Sequence, residues 1–220
     1  MVLVSPVLRL ASAATIGYLL GTFPTADLVA RRASGGRVDL RRSGTGNPGT
    51  ANAFGVLGTR AAAQVLAGDI GKGAAACAAG AAVAGPVGAH LAGTSSVVGH
   101  CYPVWTGFRG GKGVATSVGQ CLATFPAYFP IDTAVAVITI ANTRWKERAF
   151  ATTVVSCACW VLGGLVWWRR GLGNLWGPQP SSMLPAASAA SAAVIIGRFL
   201  AAAGTAGAEP PQDPATGDAT

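Results

Sequence analysis

Charged side chains are scarce in this sequence of 220 residues. Only 11% of the residues are Asp, Glu, Lys or Arg, whereas 51% are hydrophobic, and the mean hydropathy is +0.46. Ordinary soluble domains carry about 25% charged residues, so this chain has too few to cover a water-facing globule of its size. The composition therefore argues against a soluble domain and favours a membrane protein.

Groups that commonly carry acid–base or metal chemistry are scarce too. The sequence has eight Asp and Glu residues and two histidines, and it shows no carboxylate pair, no Ser-His-Asp set and no metal-ligand spacing. The five cysteines are odd in number and scattered along apolar stretches, which is typical of small apolar fillers. We expect no metal, no cofactor and no nucleic-acid partner, and any chemistry has to come from cations, amides and hydroxyls.

The sequence does contain long apolar blocks, which short clusters of charge separate. A helix needs roughly 20 apolar residues to cross a bilayer, and most blocks reach or approach that length. The candidate spans are residues 2–30, 62–85, 87–105, 113–130, 131–143, 149–168 and 183–203. We predict an all-α fold over residues 1–203, a polytopic transmembrane helical bundle of about seven helices.

Two features of these blocks refine the prediction. Segment 131–143 is short and holds Asp132, so five or six spans are the alternatives to seven. The first block is too long for a signal peptide and has no convincing cleavage site, so we interpret it as a retained helix. It carries Gly17 and Gly21, a spacing of small residues that lets two membrane helices approach closely.

Basic residues lie mainly in three of the connections between blocks. The three groups are Arg31, Arg32, Arg37, Arg41, Arg42 and Arg60; Arg109 and Lys112; Arg144, Lys146 and Arg148. Because basic residues mark the cytoplasmic side, these connections are predicted to share it, with the N-terminus outside and the C-terminus inside. Arg169 and Arg170 fall on the other side. Residues 204–220 have no apolar period and are predicted to be a disordered cytoplasmic tail.

The first basic connection contains a Gly-rich motif from Asp39 to Asn52. It combines three close glycines, three neutral donors and two arginines: Gly44, Gly46 and Gly49; Thr45, Asn47 and Asn52; Arg41 and Arg42. Close glycines let the backbone turn so that its N–H groups point at an anion. The formal match to G-x-G-x-x-G follows a charged loop rather than a strand, so we reject dinucleotide binding. The alternative is a tight polar turn.

A second Gly-rich motif runs from Gly99 to Thr116, immediately before an apolar span. Its centre is Arg109-Gly110-Gly111-Lys112-Gly113. A helix N-terminus after such a segment favours anions, because free N–H groups and the helix dipole both attract negative charge. It is not a Walker A loop, since Gly113 stands where Ser or Thr would ligate magnesium. The alternative is a flexible loop with two surface cations.

Two charges, Asp69 and Lys72, lie inside the second apolar block. A charge there is costly unless it is paired or lines a cavity, and residues three apart are neighbours on a helix. Either the two neutralise each other or Lys72 extends to the membrane surface, and the sequence leaves both open. His100 is a candidate general base, although a lone histidine near a span end more often serves structure.

At these residues the sequence resembles the bacterial acyl-phosphate:glycerol-3-phosphate acyltransferases, the PlsY family. The family's first motif, Gly-Ser-Ile-Pro and then Asp-Ile-Arg-Lys-x-Gly-Ser-Gly-Asn-x-Gly-Ala-Thr-Asn, is matched by residues 21–24 and 39–52. Its second, Gly-His-x-x-Pro-x-x-x-x-Phe-x-Gly-Gly-Lys-Gly-Val-Ala-Thr, is matched by residues 99–116, and Asp-x-x-Lys-Gly is matched by residues 69–73. The resemblance covers residues 17–118, about half the chain.

The resemblance implies a multi-pass enzyme of the bacterial cytoplasmic (inner) membrane. It implies transfer of a fatty acyl group from acyl phosphate to the 1-hydroxyl of glycerol 3-phosphate, which gives lysophosphatidic acid for phospholipid biosynthesis, with neither acyl-CoA nor a metal. Catalytic roles then fall to Thr45 in place of the family's serine, to Asn47 and Lys112, and to His100, which helps shape the second loop. The substrate-binding residues are Arg41, Arg42, Gly44, Gly46, Gly49, Asn52, Asp69, Lys72, Arg109, Gly110, Gly111, Gly113 and Thr116.

The chain also departs from the family pattern. Gly55 stands where the family has an arginine, and Phe150 begins a stretch where a Ser-Leu-Ala-Ser-like sequence is expected. The closing motif Arg-His-x-x-Asn-Ile-x-Arg-Leu is missing, and only Gly197-Arg198-Phe199-Leu200 stands near the end of the last span. The cations that could substitute are Arg41, Arg42, Arg60 and Arg198. The alternatives to an active enzyme are a silent paralogue that binds phosphorylated lipid precursors and regulates lipid synthesis, and a transporter or scaffold.

Overall fold

The structure, a computed structural model, describes residues 5–142 and 148–206, the last three by their backbone only. Regular structure in these ranges is helical, which confirms the all-α class. The helices are α1 (Pro6–Gly21), α2 (Thr25–Ser34), α3 (Thr50–Leu57), α4 (Thr59–Cys101), α5 (Val114–Thr124), α6 (Phe129–Ile140), α7 (Arg148–Arg170) and α8 (Met183–Ala206), with a 3-10 turn at Val104–Thr106. Most of the predicted tail, and Arg144 and Lys146, lie outside the described residues.

Four stretches of the described residues are long and apolar enough to cross a membrane. They are Pro6–Ser34, Thr59–Thr106, Arg148–Arg170 and Met183–Ala203. The second has 48 residues, enough for two passes. The predicted spans 113–130 and 131–143 correspond to α5 and α6, which have only 11 and 12 residues. The helix α5 is short because Pro126 disfavours a helical conformation at Phe125, the residue before it.

The long helix α4 is a hairpin of two antiparallel halves. Its backbone leaves the helical region at Ala84 and Gly85, directly before Pro86, which agrees with the predicted break between residues 85 and 87. Gly85 has φ +63°, a left-handed conformation that glycine adopts at little cost. The two halves then touch at Gly80 and Gly88, where a Cβ on either would collide with the other's carbonyl oxygen.

Small residues join α1 to the second half of α4. A Cβ on Gly17 would collide with the backbone of Ala92, and one on Gly21 would collide with the backbone of Ser96. The predicted close helix contact at these two glycines is therefore confirmed. The later glycine of α1 contacts the later residue of α4, so α1 runs parallel to this half of α4. The residues that follow α1 therefore lie at the end of the bundle where α4 ends.

The basic loops meet at this same end of the bundle. The helix α5 lies antiparallel to the first half of α4, where Gly73 meets the backbone of Thr116 and Gly119 that of Ile70. Residues of the first loop, the second loop, the start of α7 and the end of α8 border one pocket. The loops therefore share one end, as predicted; that this end faces the cytoplasm stays a prediction.

We predict that Gly17→Ala destabilises the protein, because the added methyl group has to separate α1 from α4. Overpacking of this kind costs about 1–3 kcal/mol, which lowers the midpoint of thermal unfolding by several degrees. The control is Gly71→Ala, because Gly71 lies in α4 and its Cβ position is open. Alanine there is at least as stable as glycine. Equal midpoints for both variants in detergent would contradict the packing described here.

Candidate active site

Asn52 organises the first Gly-rich loop from the first turn of α3. Its side-chain nitrogen donates to the carbonyls of Leu40 and Ser43, both at 2.9 Å, and its oxygen accepts the N–H of Thr45 at 2.8 Å. The residue is 3% exposed, so these bonds are shielded from water and correspondingly strong. Sequence reasoning predicted that Asn52 binds substrate, whereas in the structure its hydrogen bonds lie within the loop.

The glycines of this loop set its path. Gly44 and Gly46 have φ +60° and +70°, a region that favours glycine. A Cβ on Gly44 would collide with the Asn52 side chain. Gly49 has an extended conformation and precedes the first residue of α3. These turns leave the side chain of Thr45 exposed at the end of the bundle.

Gly110 and Gly111 of the second loop form hydrogen bonds through both their N–H and their carbonyl groups. Their N–H groups donate to the carbonyls of Cys101 and His100, each at 3.1 Å. Their carbonyls accept from Arg198 of α8, with 2.9 Å from Nη2 to Gly110 and 3.3 Å from Nε to Gly111. These two N–H groups therefore form hydrogen bonds within the protein. The part of the second motif left to bind an anion is the segment that follows them, from Lys112 onward.

Lys112 and the start of α5 form that following segment. Gly113 has φ +85° and lies against α4 and α8 with no room for a Cβ, so the chain can turn directly from Lys112 into the helix. The first N–H groups of α5 thus lie beside Lys112, and the helix dipole adds positive potential there. Thr116 lies one turn further on, is fully buried and packs on Gly73.

Asp69, Lys72 and His100 form a buried cluster beneath the loops. Lys72 Nζ lies 2.9 Å from Asp69 Oδ1 and donates to the carbonyl of Phe23 at 3.1 Å. The Asp69 side chain is 2% exposed and the Lys72 side chain 7%, so the two charges neutralise each other and Lys72 does not extend to the surface. His100 Nδ1 lies 3.6 Å from the same oxygen, too far for a hydrogen bond.

Arg41 connects the two Gly-rich loops. Its guanidinium pairs with Asp27 of α2, and its Nε donates to the carbonyl of Arg109 at 3.1 Å. Arg42, next to it, is exposed. A small polar pocket opens beneath this bridge, and its lining includes Arg41, Asp69, Lys72, His100, Gly110 and Gly111.

A larger pocket of about 400 Å³ lies beside it and is amphipathic. Thr45, Asn47 and Lys112 line its polar side. Phe150, Phe199, Leu200 and neighbouring alanines line its apolar side. The structure thus brings together three of the four predicted catalytic residues, whereas His100 lines the smaller pocket.

Sequence reasoning missed how α8 contributes. Arg198 was considered only as a substitute cation for substrate, but it binds the glycine carbonyls and stacks on the ring of Tyr102, 5.3 Å from its centroid. Phe199 was not considered, yet its ring lies 4.1 Å below the Lys112 ammonium. The one available signal was a lone cation near the end of an otherwise apolar span.

The sequence is similar to proteins of one family. The pattern of the glycerol-3-phosphate acyltransferase family matches residues 11–203. A glycerol-3-phosphate acyltransferase of Exiguobacterium sibiricum is 48% identical over 114 residues, which are 52% of this chain and 54% of the relative. One of Thermoanaerobacter pseudethanolicus is 37% identical over 156 residues, 71% of this chain and 76% of the relative. The first match thus spans about half of that relative's length.

The fold is similar to a solved structure. The glycerol 3-phosphate form of PlsY, an integral membrane glycerol 3-phosphate acyltransferase, aligns with a TM-score of 0.70 and 25% identity over 93% of this chain and 96% of that one. Its lysophosphatidic acid form gives 0.69. The protein is therefore a multi-pass membrane protein and belongs to the glycerol-3-phosphate acyltransferase family.

Proposed function

We propose that this protein transfers a fatty acyl group from an acyl phosphate to the 1-hydroxyl of glycerol 3-phosphate in the bacterial cytoplasmic membrane. The products are lysophosphatidic acid and phosphate. The observation that carries the proposal is the amphipathic pocket, with Thr45, Asn47 and Lys112 on one side and phenylalanines on the other. The relatives are named glycerol-3-phosphate acyltransferases, and the two PlsY crystal structures are its glycerol 3-phosphate form and its lysophosphatidic acid form.

The two sides of the pocket match the two parts of an acyl phosphate. The phosphate lies against the Lys112 ammonium and the hydroxyl and amide of Thr45 and Asn47, which are suitable donors to an anion. The acyl chain leaves along Phe150 and Phe199 between α7 and α8. Apolar walls with a few placed polar groups are typical of small-molecule sites.

The reaction needs no protein base in this arrangement. The 1-hydroxyl oxygen attacks the acyl carbonyl carbon, the bond from that carbon to the phosphate oxygen breaks, and phosphate leaves with the electron pair. The hydroxyl proton passes to the phosphate, so the charge balances. The described residues that line the larger pocket include no carboxylate or histidine. Lys112 stabilises the charge that grows on the leaving group, and Thr45 and Asn47 orient it.

The acceptor phosphate binds on the first-loop side in this proposal. Arg41 and Arg42 lie on that loop, and Arg41 donates to the carbonyl of Arg109, a cation of the second loop. Gly55 has open space where a longer side chain could stand. The helix α3 contains no arginine or lysine, so the arginine that the family pattern expects is not replaced from α3. Arg41 lines the small pocket at the junction of both loops, which favours this position for the acceptor phosphate.

One observation favours a silent paralogue as the second candidate. The turn of α8 that precedes Arg198 presents Ala192 and Ile195 to a buried apolar cluster with Val97 and Cys157. This turn therefore offers no polar group to an acceptor. A turnover assay with palmitoyl phosphate and labelled glycerol 3-phosphate, without metal, separates the candidates. Binding of either substrate by folded protein that forms no lysophosphatidic acid would favour the silent paralogue.

We predict that Lys112→Ala lowers kcat/KM for acyl phosphate by about 100-fold, since removal of one donor to a developing anion typically costs this much. Thr45→Ala is expected to lower it by about tenfold, because a hydrogen bond to a charged group is worth about 1.5–3 kcal/mol. Arg32→Ala is the control, because Arg32 is an exposed cation of α2 at the same end. Wild-type rates for both variants in correctly inserted protein would reject the site.

We predict that Arg198→Lys lowers kcat by about tenfold, because an ammonium cannot contact both glycine carbonyls as the guanidinium does. The matched control is Arg9→Lys, since Arg9 also donates to a carbonyl, that of Val83, at the opposite end of the bundle. The kinetic constants are measured in the same lipid for both. Equal losses in the two variants would mean that the effect comes from general stability and not from the loop.

A further inference from the structure

The Lys112 ammonium lies over the face of the Phe199 ring. The distance from Nζ to the ring centroid is 4.1 Å, well within the roughly 6 Å at which a ring face attracts a cation. Lys112 comes from the second loop and Phe199 from the end of α8, so 86 residues of chain separate them. Both line the larger pocket, and the contact therefore belongs to the surface where the donor phosphate is proposed to bind.

The bundle fixes both partners of this contact. The ring of Phe199 packs on the buried cluster of Val97, Cys101 and Ile195. Phe150 of α7 lies beside it with ring centroids 5.7 Å apart. On the other side, Arg198 binds the carbonyls of the two glycines that precede Lys112. Consecutive residues of α8 thus contact consecutive parts of the second loop.

A lysine side chain loses about 2 kcal/mol of rotamer freedom when one geometry is imposed on it. A contact that orders the ammonium before the substrate arrives removes part of this cost from binding. An aromatic ring is suited to the task because it has no net charge. The contact with Phe199 therefore brings no opposing charge to the ammonium, whereas Asp69 brings a carboxylate to Lys72.

We propose that Phe199 is a positioning residue whose ring face holds the Lys112 ammonium in place for the phosphate of the acyl donor. This inference rests on the proposed function. Loss of the contact raises KM for the acyl phosphate, because the restraint from the ring is then missing and more of the ordering of the lysine takes place during binding. It leaves KM for glycerol 3-phosphate unchanged, because the acceptor does not bind on this side of the pocket.

The test replaces Phe199 with mono-, di- and trifluorinated phenylalanine, introduced during translation. Fluorine withdraws electron density from the ring face in steps and barely changes the shape of the side chain. We expect kcat/KM for acyl phosphate to fall in steps to roughly three- to tenfold below wild type, as a cation–π contact of ordinary strength requires. Phe199→Leu is expected to show the full loss, and Phe199→Trp to restore activity. The same fluorinated residues at Phe54, exposed on α3, are the control.

A flat series across the fluorinated variants, with a loss only in Phe199→Leu, would overturn the proposal, because the ring would then act through its shape. A second measurement covers the case in which wild-type protein shows no acyl transfer and the proposed function itself fails. The rate of reductive methylation of Lys112, read by peptide mapping without substrate, rises with fluorination if the ring holds the ammonium. For such an inactive protein, an unchanged methylation rate rejects the contact.

Discussion

The buried contact between Asp69 and Lys72 is the interaction on which the site is built. A charge inside an apolar bundle is tolerated when it is paired and hydrogen-bonded, and removal of one partner of such a pair costs about 3–5 kcal/mol. Here Lys72 also donates to the carbonyl of Phe23, just beyond the end of α1. The pair therefore fixes the end of α1, and with it the start of α2, against α4. His100 packs beside it and accepts the N–H of Gly111 through its carbonyl.

The second loop illustrates how a Gly-rich segment can serve an anion site without offering all of its amides. Glycine is required at 110, 111 and 113 because neighbouring atoms leave no space for a Cβ. The amides of the first two are bonded to α4, so these residues bring the backbone close to the bundle rather than to a ligand. The positive potential is concentrated one step later, at Lys112 and the start of α5.

Much of this arrangement could be predicted from the sequence. The length of the apolar blocks indicates which segments are membrane helices, and the position of the basic residues indicates which connections share one side of the membrane. The helical segments, the close contact at Gly17 and the convergence of Thr45, Asn47 and Lys112 were predicted. The short segment that forms α6 was also predicted, but the short length of α5 was not, since the apolar block runs on through Pro126. The roles of Asn52, Arg198 and Phe199 could not be predicted either, because residue type does not reveal which distant carbonyl or cation a side chain meets.

The donor and the acceptor depend on different residues, which explains how the family's closing motif can be missing. The donor side uses Thr45 and Asn47 of the first loop together with the second loop and the end of α8, where Arg198 and Phe199 contact the second loop. The turn before them packs Ala192 and Ile195 into a buried apolar cluster, so these two positions offer no polar group to the acceptor. We infer that recognition of glycerol 3-phosphate has moved to the arginines of the first loop, of which Arg41 pairs with Asp27 and donates to the carbonyl of Arg109. Substitutions at Arg41 and Arg42 should then alter the preference for the acceptor, whereas substitutions in α8 should alter only the use of the donor.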